Sequence, residues 1–82
     1  MTIKLTKHAK TKMSQRNIAL DDVREIVLNP DLVEQDKFDK SLKHFIGTKS
    51  GKFLRVIGRQ ESTEDFLIIS AFFDRRLRRE KT

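Results

Sequence analysis

The chain of 82 residues contains no cysteine, tryptophan or tyrosine, and it has one proline and three glycines. The lack of cysteine excludes a disulfide scaffold, a thiolate nucleophile and cysteine-ligated zinc or iron–sulfur sites. No apolar run approaches the roughly 18 residues of a membrane span, and the start of the chain lacks the apolar core of a signal peptide. We therefore expect one cytoplasmic domain over residues 1–82, with a basic tail at residues 73–82.

Charge is unevenly distributed along the chain, although the net charge is +6. Residues 1–20 and 41–60 each carry five basic and no acidic side chains, whereas residues 21–40 carry seven acidic and three basic ones. Clustered cations are typical of proteins that bind a phosphate backbone. Basicity that serves only solubility is the alternative. A membrane surface is disfavoured, because the basic segments do not form an amphipathic, aromatic-rich helix.

The sequence before Pro30 has the pattern of two helices. Thr6 is a suitable N-cap for a helix that runs to about residue 16, and Asn17 suits the left-handed conformation that ends helices. A second helix is expected from residue 20 or 21 to Asn29, because proline disfavours helix in the residue before it.

After Pro30 the pattern changes to extended runs separated by turn residues. The expected strands are residues 32–38, 42–48, 53–60 and 65–73, and a short further strand at residues 3–5 is left open. Three hairpin connections favour an antiparallel sheet, and the helix pair must cover one of its faces. We therefore predict an α+β fold in which two N-terminal helices pack on a four-stranded antiparallel sheet.

Alternation along the last two strands predicts which side chains face the helices. The residues assigned to the helix-covered side are Leu54, Val56, Leu67, Ile69 and Ala71. The other face then presents Arg55, Arg59 and Ser70 among aromatic rings, which suits phosphate and base contacts. In the alternative, both arginines form ion pairs across the strands. The carboxylates available for such pairs are those of Glu34, Asp36 and Asp65.

The opening TKHAKTKMSQRNI contains the pattern H-A-x-x-[RK]-M-x-x-R-x-I. This pattern resembles the start of small toxins of the RelE-like and BrnT-like group. The stretches LNPDLVEQDKF, LKHFI, KFLRVIG and LIISAFFDRRL are similar to the rest of the pattern, so that the resemblance covers residues 6–77. These toxins belong to the barnase–EndoU–colicin–RelE nuclease superfamily.

The resemblance implies a metal-independent endoribonuclease without a cofactor, the toxin of a toxin–antitoxin pair that acts on mRNA. It also implies helices packed on a curved antiparallel sheet, and a neutralising antitoxin as partner. Many ribosome-dependent relatives carry a C-terminal tyrosine that this chain lacks. Whether the substrate is ribosome-bound mRNA is therefore left open.

Cleavage of RNA without a metal needs a base for the 2′-hydroxyl, an acid for the departing 5′-oxygen and fixed cations. Histidine suits the first two roles, and the chain has only two histidines. The predicted catalytic residues are His8, His44, Arg55 as main phosphate clamp, and Ser70 as a hydrogen-bond donor to substrate. The predicted RNA-binding residues are Lys12, Arg16, Lys43, Arg59, Asp74, Arg75 and Arg76.

Each of these residues also has a simpler explanation. His8 suits the start of a helix, His44 suits an exposed cross-strand position, and the tail from Arg75 suits a solvated or antitoxin-docking segment. Glu34 and Asp36 are further candidate bases, but charge on a strand surface is the better explanation for them. Two histidines far apart in sequence lack metal-ligand spacing, so no metal site is predicted.

Two other functions stay open. The first is a non-catalytic RNA- or ribosome-binding module on the same fold, and the second is a protein-interaction domain without RNA affinity. Replacing a catalytic histidine abolishes cleavage but leaves binding nearly intact, which separates an enzyme from a binding module.

Overall fold

A computed structural model describes residues 1–77 of the chain. The elements are β1 (Thr2–Leu5), α1 (Lys7–Gln15), α2 (Leu20–Leu28), β2 (Leu32–Gln35), β3 (Lys43–Lys49), β4 (Lys52–Gln60) and β5 (Asp65–Phe73). Within this described part, neither helix is long and apolar enough to cross a membrane.

The five strands form one mixed sheet in the order β1-β5-β4-β3-β2. Strand β1 is parallel to β5, and all other neighbours are antiparallel. The α+β class is confirmed. The four predicted strands are present and pair antiparallel, but β1 adds a fifth strand and a parallel pair, so the sheet is mixed. The short strand left open at the start of the chain forms, because Ile3 and Leu5 pack against the core while their backbone pairs with the free edge of β5.

Local signals placed the helices and the tight hairpin correctly. The Thr6 hydroxyl accepts a hydrogen bond from the backbone N–H of Ala9 at 3.0 Å and so caps α1. Asn17 is left-handed, with φ of 55°, and turns the chain between the helices. Ser50 and Gly51 both have positive φ in the two-residue connection between β3 and β4, as a hairpin turn of this length requires.

Strand β2 ends at Gln35, three residues earlier than predicted. The carboxylate of Asp36 accepts hydrogen bonds from the backbone N–H groups of Phe38 at 3.1 Å and Asp39 at 2.9 Å. This turn gives the backbone partners that a longer strand would otherwise supply. Residues 36–42 therefore form the loop that connects β2 to β3.

The helices cover one face of the sheet, where Leu54, Val56 and Ala71 are fully buried as predicted. The prediction that Leu67 and Ile69 share this face is wrong. Both are half-buried, and the residues of β5 that enter the core are instead Phe66 and Ile68.

A β-bulge causes this exchange of the side chains of β5 between the two faces of the sheet. Ile57 pairs with Ser70, but the next residue, Gly58, pairs with Ile68, so that Ile69 has no partner on β4. A Cβ atom at position 58 would lie 2.5 Å from the carbonyl oxygen of Leu67. Glycine is therefore needed where the two strands approach each other at the bulge.

Candidate active site

Arg55 alternates with two core residues of β4, so its side chain points to the face opposite the helices. It is nevertheless only 7% exposed. Its Nε donates a hydrogen bond to Oδ2 of Asp74 at 2.8 Å, and its Nη1 donates to Oε1 of Glu34 at 3.0 Å. Nη1 also lies 2.8 Å from Nδ1 of His44. Three strands and the segment after β5 thus meet at one guanidinium group.

The strand register brings His44 to this position, because His44 pairs with Glu34 on β2 and lies two residues from Ile46, the partner of Arg55 on β3. A guanidinium group can only donate, so Nδ1 of His44 must accept from it. The proton of the neutral ring then lies on Nε2, which donates to Oδ1 of Asp36 at 2.7 Å. His44 is held between an acceptor and a donor, with an unprotonated Nδ1 turned toward Arg55.

Asp36 is ionised in this arrangement. The hydrogen bond from His44, with those from the backbone of Asp39 and Phe38, holds the pKa of Asp36 below its ordinary value. The same carboxylate therefore orients the imidazole and closes the turn of the following loop.

Asp74 and Arg55 are the two buried charged residues in the described part of the chain. Burial alone would raise the pKa of Asp74, but hydrogen bonds from Arg76 and Arg55 outweigh it and lower the pKa. The backbone N–H of Arg76 donates to Oδ1 of Asp74 at 3.0 Å. Asp74 is thus an ionised partner that fixes the buried side of the guanidinium group.

These side chains form the floor of an open cleft of about 630 Å³. The rim includes Lys37, Phe38, Arg76 and Leu77. Phe38 is 96% exposed. The cleft therefore combines a histidine that can accept a proton, a fixed guanidinium group, exposed cations and an aromatic ring.

A family model described as a domain of unknown function, DUF4258, matches residues 5–73 of the chain. The chain belongs to the DUF4258 family. No curated protein and no solved structure matches it. The DUF4258 match contains Glu34, Asp36, His44 and Arg55, whereas Asp74 and Arg76 lie one and three residues beyond its end.

The cleft brings together two of the four residues predicted to be catalytic. His44 and Arg55 are in direct contact, as the strand pairing allowed. Ser70 is half-buried in β5 and does not line the cleft. His8 is exposed in the first turn of α1, and this helix packs on the other face of the sheet.

Only some of the predicted RNA-binding residues line the cleft. Asp74 and Arg76 line the cleft, although Asp74 is buried under Arg55 instead of being exposed to a ligand. The residues that do not line it are Lys12, Arg16, Lys43, Arg59 and Arg75. Of the predicted tail at 73–82, Phe73 lies in β5 and residues 78–82 lie outside the described residues.

The alternative of cross-strand ion pairs is realised for Arg55, which binds Glu34. Arg59 instead lies 3.5 Å from Glu61, which follows β4. Within residues 1–77, no set of three or more histidine, aspartate or glutamate side chains is arranged to hold a metal ion.

Sequence reasoning missed Lys37 and Phe38, which it placed inside a strand. It also considered Asp36 and Glu34 mainly as surface charge. An available signal was the turn chemistry of Asp36, whose carboxylate can accept from the N–H groups two and three residues later. Ending β2 there places the next two side chains in a loop.

Proposed function

We propose that this DUF4258 protein is a metal-independent endoribonuclease of the RelE-like and BrnT-like type, which cleaves mRNA in the cytoplasm as the toxin of a toxin–antitoxin pair. The observation that carries the proposal is the line of hydrogen bonds from Asp36 through His44 to Arg55 on the floor of an open cleft. The resemblance of the sequence to these toxins supports the same reaction.

His44 is the general base in this proposal. Without substrate, its Nδ1 accepts from Arg55. A phosphate in the cleft accepts the hydrogen bond from Nη1 of Arg55 in place of Nδ1 of His44, because guanidinium groups bind phosphate oxygens strongly. Nδ1 is then free to take the proton of the ribose 2′-hydroxyl. Asp36 holds the ring in orientation and stabilises the imidazolium ion that forms.

The 2′-oxygen then forms a bond to phosphorus, and the bond from phosphorus to the 5′-oxygen breaks. The products are a 2′,3′-cyclic phosphate and a 5′-hydroxyl group, whose proton comes from water in the open cleft. The hydroxide that remains takes the proton from His44 and so regenerates the base. Arg55 stabilises the charge on the non-bridging oxygens. Its Nε stays bound to Asp74 during the exchange, so the guanidinium group keeps its position.

The test is incubation of the purified protein with mixed-sequence RNA in the presence of EDTA. The wild type is expected to yield fragments that end in 2′,3′-cyclic phosphate, identified by mass spectrometry. His44→Ala and Arg55→Ala are each expected to lower the cleavage rate by about a hundredfold or more. Asp36→Asn is expected to lower it by about tenfold or more, because the ring loses its orienting acceptor.

His8→Ala is the matched variant, since it removes the other histidine, which is exposed on α1 outside the cleft. It is expected to cleave at the wild-type rate. Loss of cleavage in His8→Ala with retention in His44→Ala would contradict the proposed site. Inhibition of the wild type by EDTA would contradict the metal-independent reaction.

The toxin role has a separate test. Expression of the wild type in bacterial cells is expected to arrest growth, and expression of His44→Ala is not. Cleavage of free RNA together with unimpaired growth at equal protein levels would retain the nuclease and reject the toxin. A comparison of free and ribosome-bound mRNA shows whether the ribosome is required.

The second candidate is a non-catalytic RNA- or ribosome-binding module on the same fold. The observation that favours it is the burial of Arg55, whose Nε and Nη1 already have three partners. In that case the exposed cations bind RNA with strong salt dependence and no fragments form. His44→Ala then binds RNA as the wild type does.

A further inference from the structure

The exposed ring of Phe38 is unlike every other phenylalanine in the chain. Its exposed fraction is 96%. The other five phenylalanines lie in β3, β4 and β5 and are buried or half-buried. An aromatic ring of this size contributes nothing to the core from its position on the rim of the cleft.

The loop that carries Phe38 is held in place by hydrogen bonds. Asp36 accepts from the backbone N–H groups of Phe38 and Asp39 while its other carboxylate oxygen binds Nε2 of His44. The side-chain amide of Gln35 donates to two carbonyl groups of the same loop, at 2.9 and 2.8 Å. The backbone position of Phe38 is therefore tied to the imidazole of the proposed base through one carboxylate.

Two cations share the lining of this cleft with Phe38. Lys37 precedes Phe38 in the loop, and Arg76 lines the same cleft. An exposed aromatic ring beside cations is the arrangement by which proteins bind single-stranded nucleic acid, because the ring stacks on a base while the cations bind the backbone. A base in a duplex is already stacked and cannot offer its face to the ring.

We propose that Phe38 is a stacking platform for an unpaired base, and that the ligand of the cleft is therefore single-stranded RNA. The proposal rests on the proposed function for the identity of the nucleic acid. Stacking uses the face that all four bases share, so we expect little preference among bases at this subsite.

The first test measures binding without cleavage. The probe is a short single-stranded RNA with 2′-O-methyl groups, which lacks the reacting hydroxyl. Phe38→Ala is expected to bind it about tenfold more weakly than the wild type, and Phe38→Leu nearly as weakly, because leucine keeps an apolar side chain but has no ring. A duplex of the same sequence is expected to bind about tenfold more weakly than the single strand and to be insensitive to Phe38→Ala.

Lys37→Ala is the matched control at the neighbouring position. It is expected to reduce the slope of the logarithm of affinity against the logarithm of salt concentration by about one. Phe38→Ala is expected to weaken binding equally at all salt concentrations, because it removes no charge. Unfolding temperatures check that the variants fold, and Phe38→Ala is expected to keep that of the wild type because the ring is exposed.

The second test uses the absence of tryptophan and tyrosine from the chain. Phe38→Trp introduces the single tryptophan of the protein, and its emission is expected to be quenched when the oligonucleotide binds. Thr63→Trp places the probe in the exposed loop between β4 and β5, outside the cleft. Its emission is expected to stay constant in the same titration.

Equal affinity of Phe38→Ala and the wild type would overturn the proposal, as would constant emission from Phe38→Trp. If Phe38→Ala leaves RNA binding intact but abolishes self-association or antitoxin binding, the ring is a protein contact and the proposal is also overturned. The proposed reaction fails independently. If the protein binds the probe through Phe38 but does not cleave RNA, the stacking site is supported and the proposed nuclease activity is rejected.

Discussion

The two faces of the sheet are built from alternate residues of the same strands, yet they bury their side chains by different means. Leu54 and Val56 are fully buried against the helices, and Arg55 between them is almost as buried on the other face. The first face excludes water by apolar packing. The second buries a charge only because carboxylates and an imidazole bind it. Burial alone therefore does not separate the core from the site, whereas the partners do.

The largest expected effect is on the packed face. Leu54→Ala removes a fully buried side chain and is expected to lower the free energy of unfolding by about 4 kcal/mol. The measurement is urea denaturation. Leu28→Ala is the matched control, because Leu28 is 53% exposed and its truncation is expected to cost less than about 1 kcal/mol. Similar losses at both positions would contradict the assignment of the core.

On the charged face, Arg55→Met removes the buried guanidinium partner of Asp74 and leaves only the backbone N–H and the exposed side chain of Arg76 to bind the carboxylate. The expected loss of unfolding free energy is about 3 kcal/mol. Adding Asp74→Asn removes the carboxylate that has lost its buried cation, so the double variant is expected to be more stable than Arg55→Met alone. Strictly additive losses in this double-mutant cycle would show that the two residues do not interact.

The third prediction concerns the bulge, where the side chains of β5 exchange faces. Gly58→Ala places a Cβ atom 2.5 Å from a backbone oxygen of Leu67, which cannot move alone, and is expected to cost about 2 kcal/mol. Gly47→Ala brings its Cβ atom 3.0 Å from a side-chain atom of Ile26, which can adjust. Thermal or urea unfolding is expected to show a loss of below about 1 kcal/mol for Gly47→Ala. The opposite order would contradict the bulge geometry.

The smallest effect is the dependence of stability on pH. The pKa values of Asp36 and Asp74 are lowered in the folded protein. Each carboxylate therefore stabilises the fold above its unfolded-state pKa of about 4, and this contribution is lost as the pH falls through the lower folded-state value. Urea denaturation between about pH 5 and pH 2 is expected to give a shallower acid loss for Asp36→Asn than for the wild type. Coincident curves would mean that folding does not lower this pKa.

Local chemistry made much of the fold predictable. The cap at Thr6, the left-handed Asn17 and the turn at Ser50 and Gly51 each depend on residues within a few positions. The contact of His44 with Arg55 was also open to prediction, because one hairpin brings the two strands into register. Interactions of this short range leave a direct pattern in the sequence.

The remaining features depend on distant groups. The bulge opposite Gly58 moved Phe66 and Ile68 into the core, and alternation within β5 contains no sign of that shift. Asp74 lies 19 residues from Arg55 and looked like the start of a basic tail. Its role as a buried partner arises only when β5 lies beside β4.

By itself, the sequence determined the helix and strand types, the N-cap of α1, the tight hairpin and the composition of the two faces of β4. The tertiary structure decided that the sheet is mixed, which side chains of β5 face the core, and which charged groups bind Arg55. The physical reason is how far apart in the sequence the interacting groups lie. Caps, turns and alternation are set by neighbours along the chain, whereas a buried ion pair and a bulge are set by the approach of strands. The exposed ring of Phe38 depends on both local and long-range interactions. A local turn at Asp36 places it in a loop, and the folded sheet brings that loop to the cleft.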